Sequence, residues 1–185
     1  MTDLNHRPMY GESGYERRAA DAYWTPAWCV DVLLRHMTPR GTVWEPACGA
    51  GNICEALKRN GHSFIATDLN DWGYGTPGRD FLATDHSNTV GAIITNPPYE
   101  TSDEFATRAV DLMRPIGGQV AMLLRNEWDS AASRAEVLHR LTLKLVLTKR
   151  PRWSEDDRAS PRHNFAWFVW DFASTDIPRI KWDRP

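Results

Sequence analysis

The chain of 185 residues has no long apolar run. A membrane-spanning helix needs roughly 18 or more consecutive apolar residues, so we expect no membrane partner. The polar N-terminal residues do not have the pattern of a secretory signal peptide. Cysteine is also scarce, because Cys29, Cys48 and Cys54 are the only ones and lack the spacing of metal ligands. We therefore expect free thiols in a reducing, cytoplasmic environment and no metal site.

The chain also lacks a large excess of charge of either sign, with 22 basic against 24 acidic residues. There is no global nucleic-acid signature, so any basic surface must be local. Residues 149–153 form the one locally basic stretch, and between Arg125 and Arg162 nine Lys or Arg stand against six Asp or Glu. A solvated loop explains any single one of these residues. As a group they are candidates for phosphate contacts, Arg150 and Arg152 in particular.

The length predicts one domain, which buries about 70% of the surface of its unfolded chain. Residues 1–20 are polar and without periodicity, and we expect a flexible N-terminal arm there. In residues 21–185, apolar strand patterns alternate with helix patterns, which predicts an α/β fold with helices on both faces of a parallel sheet. Strands are predicted over 42–44, 63–67, 90–95, 119–124, 143–148 and 165–170. Helices are predicted from Pro26 to near Pro39 and over 52–60, 103–114 and 130–141.

The sequence Asn96-Pro97-Pro98-Tyr99 directly follows the predicted strand 90–95. Neither proline can donate a hydrogen bond to a sheet, so the strand must stop there. The proline rings fix their own φ angles, and Pro97 restricts Asn96 to an extended conformation. The pattern predicts a stiff elbow at the carboxyl end of a strand, which is the edge where open α/β sheets bind ligands. A plain strand-to-loop turn is the competing interpretation.

A glycine-rich turn, residues 45–51, lies between the first predicted strand and the next helix. Glycine at such a turn lets the backbone approach a ligand closely. The Gly-x-Gly spacing lacks the third glycine of the dinucleotide-binding fingerprint. Asp68 ends the next strand, 17 residues after Gly51. That is close to the ~20-residue spacing at which an acid contacts ribose hydroxyls.

Three further segments are candidates for the ligand edge. In Tyr23-Trp24-Thr25-Pro26, Thr25 as N-cap and Pro26 as the first helical residue predict a helix start. Residues 69–78 are rich in Gly, Asn and Pro and are expected to form a loop over a ligand. The pair Asp80-Phe81 follows this loop.

Tryptophan is abundant, with nine residues in the chain. Some must belong to the core, but tryptophan also stacks well on nucleic-acid bases. Trp128 follows the predicted strand 119–124, Trp153 ends the basic stretch, and Phe165 begins an aromatic strand. These three are candidates to wall a binding pocket.

Taken together, these motifs resemble those of the S-adenosylmethionine-dependent amino-methyltransferases, chiefly the class I enzymes that methylate adenine N6 in DNA. Residues 45–51 resemble their acidic-Pro-x-x-Gly-x-Gly loop, and residues 96–99 resemble their catalytic motif. The resemblance covers roughly Tyr23 to Asp171. It implies the Rossmann-like methyltransferase fold, with a mostly parallel seven-stranded sheet and an antiparallel last strand. The chain differs from the usual family pattern because no segment is long enough for a separate target-recognition domain. We therefore expect a recognition sequence that is short, relaxed or read by a partner.

The resemblance also assigns roles to single residues. Catalysis falls to Asn96, Pro97, Pro98 and Tyr99, where Asn96 Oδ1 and the Pro97 carbonyl accept the two N–H bonds of the target amine and Tyr99 stacks on the base. S-adenosylmethionine contacts are assigned to Tyr23, Thr25, Glu45, Pro46, Ala47, Gly49, Gly51, Asp68, Asp80, Phe81 and Asn96. Substrate contacts are assigned to Tyr99, Trp128, Trp153, Phe165, Arg150 and Arg152. The implied reaction is direct in-line methyl transfer to a flipped or single-stranded adenine in DNA.

Three alternatives stay open at this point. RNA adenine methyltransferases use the same pocket on single-stranded bases. Protein-glutamine methyltransferases share the Asn-Pro-Pro-Tyr motif, but they normally carry an additional helical domain before it, and the segment before Tyr23 is short for one. A non-catalytic subunit that binds nucleic acid is the alternative of another class. The intact Gly49, Gly51, Asp68 and Asn96 favour an enzyme.

Overall fold

A computed structural model describes residues 24–86, 88–153 and 163–185. The predicted arm, residues 1–20, and the candidate Tyr23 lie outside these ranges. The strands are β1 Val43–Glu45, β2 Phe64–Ala66, β3 Ala92–Thr95, β4 Gln119–Arg125, β5 Leu143–Leu147, β6 Phe165–Asp171 and β7 Arg179–Asp183. The α-helices are α1 Ala27–Leu34, α2 Asn52–Arg59, α3 Ser102–Met113 and α4 Ala135–Leu138. Short 3₁₀ turns occupy Tyr99–Thr101, Trp128–Ser130 and Ala132–Arg134.

The strands form one seven-stranded sheet in the order β2-β1-β3-β4-β6-β5-β7. Strands β2, β1, β3 and β4 pair in parallel, and β6 runs antiparallel to both of its neighbours, β4 and β5. The predicted fold class is therefore confirmed, with the aromatic strand β6 as the antiparallel one. The chain then continues into β7, which pairs in parallel with β5 and was not predicted.

Each face of the sheet carries its own hydrophobic core, and β6 contributes to both. Phe165, Trp167 and Val169 pack on the face covered by α1 and α2. Their neighbours along the strand, represented by Phe168 and Trp170, pack on the face covered by α3. This alternation follows from the two-residue period of a strand, and it explains why β6 reads as a continuous apolar run.

Two predicted helices differ from the structure. Helix α1 begins at Ala27, one residue later than expected; Pro26 is its N-cap residue, and no side chain completes the cap. The helix predicted over 130–141 is replaced by two 3₁₀ turns and the four-residue α4. The break falls at Ala131, whose backbone is extended at φ −95° and ψ 130°. Next to this break the Arg134 guanidinium binds the Asp103 carboxylate on α3 at 2.8 Å, a tertiary contact that the sequence pattern does not reveal.

No helix among the residues that the structure describes is long and apolar enough to cross a membrane. The same residues contain no group of three or more His, Cys, Asp or Glu side chains placed to hold a metal ion.

Candidate active site

A cavity of about 650 Å³ lies at the carboxyl ends of β1, β2 and β3. Its volume falls within the roughly 300–1,000 Å³ typical of small-molecule sites. The predicted site residues that line it are Thr25, Pro46, Ala47, Gly49, Asp68, Asp80, Phe81, Asn96 and Pro98. Segments as far apart in sequence as Thr25 and Pro98 thus meet in one place, at the sheet edge that the strand order predicts.

The glycine-rich turn reaches the cavity through Gly49 and not through Gly51. Gly49 has a φ of 52°, and a Cβ added there would lie 2.6 Å from the Trp24 ring. Gly51 has a φ of 86° and is the N-cap residue of α2. A Cβ on Gly51 would lie 2.5 Å from the ring of Tyr74, which covers it. Both positions therefore require glycine, but only Gly49 is placed to touch a ligand.

Asp68 binds two segments of the cavity wall, the glycine-rich turn and the loop that follows β2. Its Oδ2 accepts a hydrogen bond from the Gly49 N–H at 2.9 Å. Its Oδ1 accepts from the Asn70 N–H at 2.8 Å and from Trp72 Nε1 at 3.2 Å. Asp68 lines the cavity although most of its surface is buried. One carboxylate thus fixes the glycine turn and the following loop relative to each other.

Glu45 lies beneath the cavity and is fully buried. Its Oε1 accepts a hydrogen bond from the Ala47 N–H at 3.1 Å. Burial raises the pKa of Glu45 to about 8, against the opposing effects of the neighbouring Thr95 hydroxyl and the Ala47 N–H. Glu45 therefore shapes the turn from below, and its side chain is not part of the cavity wall.

The raised pKa of Glu45 predicts a specific pH dependence of stability. Between the ordinary value of 4.5 and the folded value of about 8, the folded chain holds a proton on Glu45 that the unfolded chain loses. The free energy of unfolding should therefore fall as the pH rises through this window, by up to about 1.4 kcal/mol per pH unit. Urea titrations from pH 4.5 to 8.5 measure this slope. Glu45→Gln should flatten it, and an unchanged slope in this variant would rule Glu45 out as its source.

Asp80 and Phe81 occupy different depths of the same wall. Asp80 is exposed at the cavity, and its Oδ1 accepts the Leu82 N–H at 2.9 Å. Phe81 is only 2% exposed and packs against Trp44 and Phe105, with ring centroids 5.1 and 4.7 Å away. Phe81 thus forms an apolar floor, while Asp80 supplies a carboxylate at the opening.

The elbow separates the cavity from a cluster of aromatic side chains. Asn96 and Pro98 line the cavity, and Pro97 between them is buried. Tyr99 lies outside the cavity wall, with its ring centroid 6.0 Å from that of Phe165. The elbow therefore places Asn96 beside the cavity, with its Oδ1 atom buried, and the Tyr99 ring beside this cluster.

The remaining aromatic candidates fall in two places. Trp153 joins Tyr99 and Phe165, with its ring centroid 4.9 Å from that of Phe165. Trp128 does not join them. It is 5% exposed in the core on the opposite face of the sheet, where its Nε1 donates to Asp103 Oδ1 at 2.8 Å. The 3₁₀ turn at the end of β4 directs this side chain inward, so the structure does not place it beside the elbow.

Arg125 contacts the aromatic cluster, and Arg150 and Arg152 belong to the segment that ends at Trp153. The Arg125 guanidinium lies 5.6 Å from the centroid of the Tyr99 ring, within the range of a cation–π contact. Arg150 Nε donates to Asn164 Oδ1 at 2.8 Å, and Arg152 is exposed. The antiparallel register of β4 and β6 places Arg125 directly opposite Phe165 and so brings cation and aromatics to one edge.

Sequence reasoning missed several residues of the cavity wall, including Trp24, Trp72, Cys48 and Arg79. Trp24 and Trp72 meet edge to face, with ring centroids 5.3 Å apart. Trp24 belongs to the predicted aromatic-x-Thr-Pro segment, and Trp72 belongs to the loop expected over a ligand, so a signal was present for both. Burial raises the pKa of the Cys48 thiol to about 12, so it stays protonated at neutral pH.

No family profile matches the sequence, and no curated protein sequence is significantly similar to it. Solved structures are similar in fold. A putative class I S-adenosylmethionine-dependent methyltransferase from Listeria monocytogenes superposes with a TM-score of 0.54 at 14% identity, over 84% of this chain and 62% of its own. The chain has the class I methyltransferase fold.

Two further structures share this fold. One is the modification subunit of a putative type I restriction enzyme from Vibrio vulnificus YJ016, with a TM-score of 0.57 at 14% identity over 88% of this chain and 46% of that one. The other is a putative RNA methyltransferase from Pyrococcus horikoshii, with a TM-score of 0.58 at 11% identity over 78% and 80% of the two chains. The chain thus spans less than two thirds of the length of the first two structures.

Proposed function

We propose that the chain transfers a methyl group from S-adenosylmethionine to the exocyclic N6 amine of adenine in DNA. The observation that carries the proposal is the position of Asn96-Pro97-Pro98-Tyr99. This elbow lies between a cavity of cofactor size and a cluster of aromatic side chains. A methyl donor on one side and a planar base on the other would meet at Asn96.

The cavity wall fits S-adenosylmethionine in size and in chemistry. The donor supplies an activated methyl group on a positively charged sulfur. Asp68 presents a carboxylate beside the Gly49 N–H and would accept hydrogen bonds from the ribose hydroxyls. Asp80 offers an acceptor to an exocyclic amine, and Phe81 gives that end of the cavity an apolar surface. Cys48 in the same wall stays a neutral thiol, which is a much weaker nucleophile than a thiolate and so would not take the methyl group itself.

The elbow would then act by aligning and polarising the target nitrogen. The lone pair of an adenine amine is delocalised into the ring, which makes the amine a poor nucleophile. Asn96 Oδ1 and the Pro97 carbonyl would accept its two N–H bonds and draw the nitrogen towards tetrahedral geometry. The fixed φ angles of Pro97 and Pro98 orient the Pro97 carbonyl, and Pro97 restricts the backbone that carries the Asn96 side chain. Catalysis by positioning of this kind needs no nucleophilic side chain.

The aromatic and basic groups beside the elbow support a nucleic-acid substrate. Tyr99, Trp153 and Phe165 offer rings on which a flipped or single-stranded base would stack. Arg125, Arg150 and Arg152 would contact phosphates, an interaction that positions the strand without reading its sequence. Two structures with the same fold, a restriction-modification subunit and a putative RNA methyltransferase, carry names that refer to nucleic-acid systems.

Methyl transfer from the radiolabelled donor to DNA, RNA and protein in parallel reactions tests the proposal. We expect label in DNA, recovered as N6-methyladenine after digestion, because the elbow suits an exocyclic amine next to a stacked ring. Label confined to RNA would instead indicate an RNA adenine methyltransferase, and label confined to protein a glutamine methyltransferase. Donor binding without transfer to any of the three would favour a non-catalytic subunit.

A further inference from the structure

The two edges of the sheet differ in how much unpaired backbone they expose. The β2 edge is only three residues long, and directly beyond it Thr67 bridges to Thr76 in the loop that folds back over it. The opposite edge is β7, which is five residues long and pairs only with β5 among the described strands. An edge strand exposes unpaired N–H and C=O groups and is a template for pairing with another chain.

The backbone bonds of β7 identify the groups that face outward. The Arg179 N–H donates to the Thr142 carbonyl, and the Asp183 carbonyl accepts from the Thr148 N–H, each at 3.0 Å. Backbone groups alternate sides along a strand, so those of Ile180 and Trp182 point away from β5. The open edge therefore offers two N–H and two C=O groups.

The side chains of the same two residues form an exposed apolar strip. Ile180 is 58% exposed and Trp182 is 66% exposed. Residues two apart on a strand lie on one face, so the two side chains stand next to each other. Large apolar side chains beside an open backbone edge are an aggregation risk unless a partner covers them.

We propose that the partner is a second copy of this chain, and that the two β7 strands pair antiparallel about a two-fold axis at Lys181. Residues whose backbone N–H and C=O groups point away from β5 must pair with the same kind of residue in the second copy. This requirement excludes every register shifted by one residue. In the proposed register Ile180 pairs with Trp182 of the second copy, and Trp182 pairs with Ile180 of the second copy. Each pair exchanges two N–H···O bonds, which makes four across the interface.

This register is also self-complementary in its side chains. It places Ile180 beside Trp182 of the second copy twice on one face, so each strip covers the other. On the other face Arg179 lies opposite Asp183 of the second copy, again twice. Within each copy Arg179 already pairs with Asp176, and Asp183 pairs with Arg35 and His36, so these facing charges add little to the interface. The two Lys181 side chains face each other at the axis, which costs part of the stability gained on the apolar face. A strand register that covers both apolar strips and pairs all the outward backbone groups at once favours a second copy over an unrelated partner.

The interface leaves the candidate active site untouched, because β7 lies four strands from β3 in the sheet order. Pairing of two short strands buries less than the ~1,600 Å² of a standard interface, so we expect a dissociation constant in the micromolar range. Sedimentation equilibrium of the full chain from about 1 to 100 µM should show the mass rising from 21.1 kDa towards twice that value.

Two substitutions test whether β7 forms the interface. Trp182→Pro removes an outward N–H, a place where an edge strand tolerates proline, and should leave a folded monomer over the whole concentration range. Ile180→Lys should also give a folded monomer, because it puts a charged side chain into the apolar strip. The matched control is Ile116→Lys, since Ile116 is an exposed isoleucine between α3 and β4, and it should dimerise like the wild type. A wild type that stays monomeric, or a dimer that survives Trp182→Pro, would overturn the proposal.

The register has its own test. Facing residues of a non-hydrogen-bonded antiparallel pair have Cα atoms about 4.5 Å apart, within the range that a disulfide spans. Lys181→Cys should therefore give a disulfide-linked dimer under mild oxidation. In Arg179→Cys the two thiols would be about 13 Å apart along the strands, and no cross-link is expected. The native cysteines are buried and should not compete. Cross-linking of the Arg179 variant and not of the Lys181 variant would overturn the proposed register.

Discussion

Asn96→Ala is expected to lower the rate of methyl transfer by about 10²–10³-fold, the effect of removing one well-placed polar group from an active site. The change in cofactor affinity should be much smaller, because other segments supply most of the cavity wall. The physical reason is that Asn96 Oδ1 is one of only two acceptors proposed to polarise the target amine. Single-turnover transfer of radiolabelled methyl measures the rate, and calorimetry measures the affinity.

A second asparagine provides the control. Asn60 ends α2, where its Nδ2 donates to Asp31 and to the Ala56 carbonyl outside the cavity. Asn60→Ala should therefore leave the transfer rate close to that of the wild type. Asn96→Asp, which keeps an acceptor oxygen at the same place, should recover part of the activity lost in Asn96→Ala. A near-normal rate in Asn96→Ala would contradict the role proposed for this residue.

Asp68→Ala is expected to raise the dissociation constant of S-adenosylmethionine by about 10²–10³-fold. Hydrogen bonds to a charged group contribute about 1.5–3 kcal/mol each, and the substitution removes those proposed to the ribose. It also releases the Gly49 N–H, the Asn70 N–H and Trp72 Nε1, which the carboxylate holds in place. Two segments of the cavity wall would lose their common anchor.

A neighbouring aspartate separates this effect from a general loss of loop structure. Asp71 lies in the same loop and accepts the Gly73 N–H at 2.9 Å, but it does not line the cavity. Asp71→Ala should leave the dissociation constant nearly unchanged. Calorimetry measures the dissociation constant of both variants, and a thermal melt of each checks that it is folded. Together they separate a specific loss of cofactor binding from a general loss of loop structure. Equal affinities for wild type and Asp68→Ala would remove Asp68 from the cofactor site.

The parts of the site that could be predicted are those in which single residues fix the backbone. Pro97 and Pro98 stop β3, and Gly49 and Gly51 permit the positive φ angles of the turn before α2. These constraints act within a few residues, so they can be read from the sequence directly. The parallel sheet then brings the two segments and Asp68 to the same edge.

The parts that could not be predicted depend on contacts between distant segments. Whether Trp128 faces a ligand or the core is decided by the 3₁₀ turn after β4 and by Asp103, 25 residues away. The same carboxylate binds Arg134, in the segment where 3₁₀ turns stand in place of the predicted helix. Strand β7 was missed because Arg179–Asp183 is half polar and is held mainly by backbone bonds to β5. Hydrophobic periodicity in a sequence arises from a buried face, and an exposed edge strand has little buried surface.

The edge-to-face pair of Trp24 and Trp72 at the rim of the cavity has a practical consequence. Of the other seven tryptophans, Trp44, Trp128, Trp167 and Trp170 are buried, and Trp28, Trp153 and Trp182 do not line the cavity. Their fluorescence emission should respond little to what enters the cavity, whereas that of the rim pair should change when a molecule displaces the water around the two indoles. The protein therefore carries its own optical reporter, and titration of the unlabelled chain would follow occupancy of the cavity.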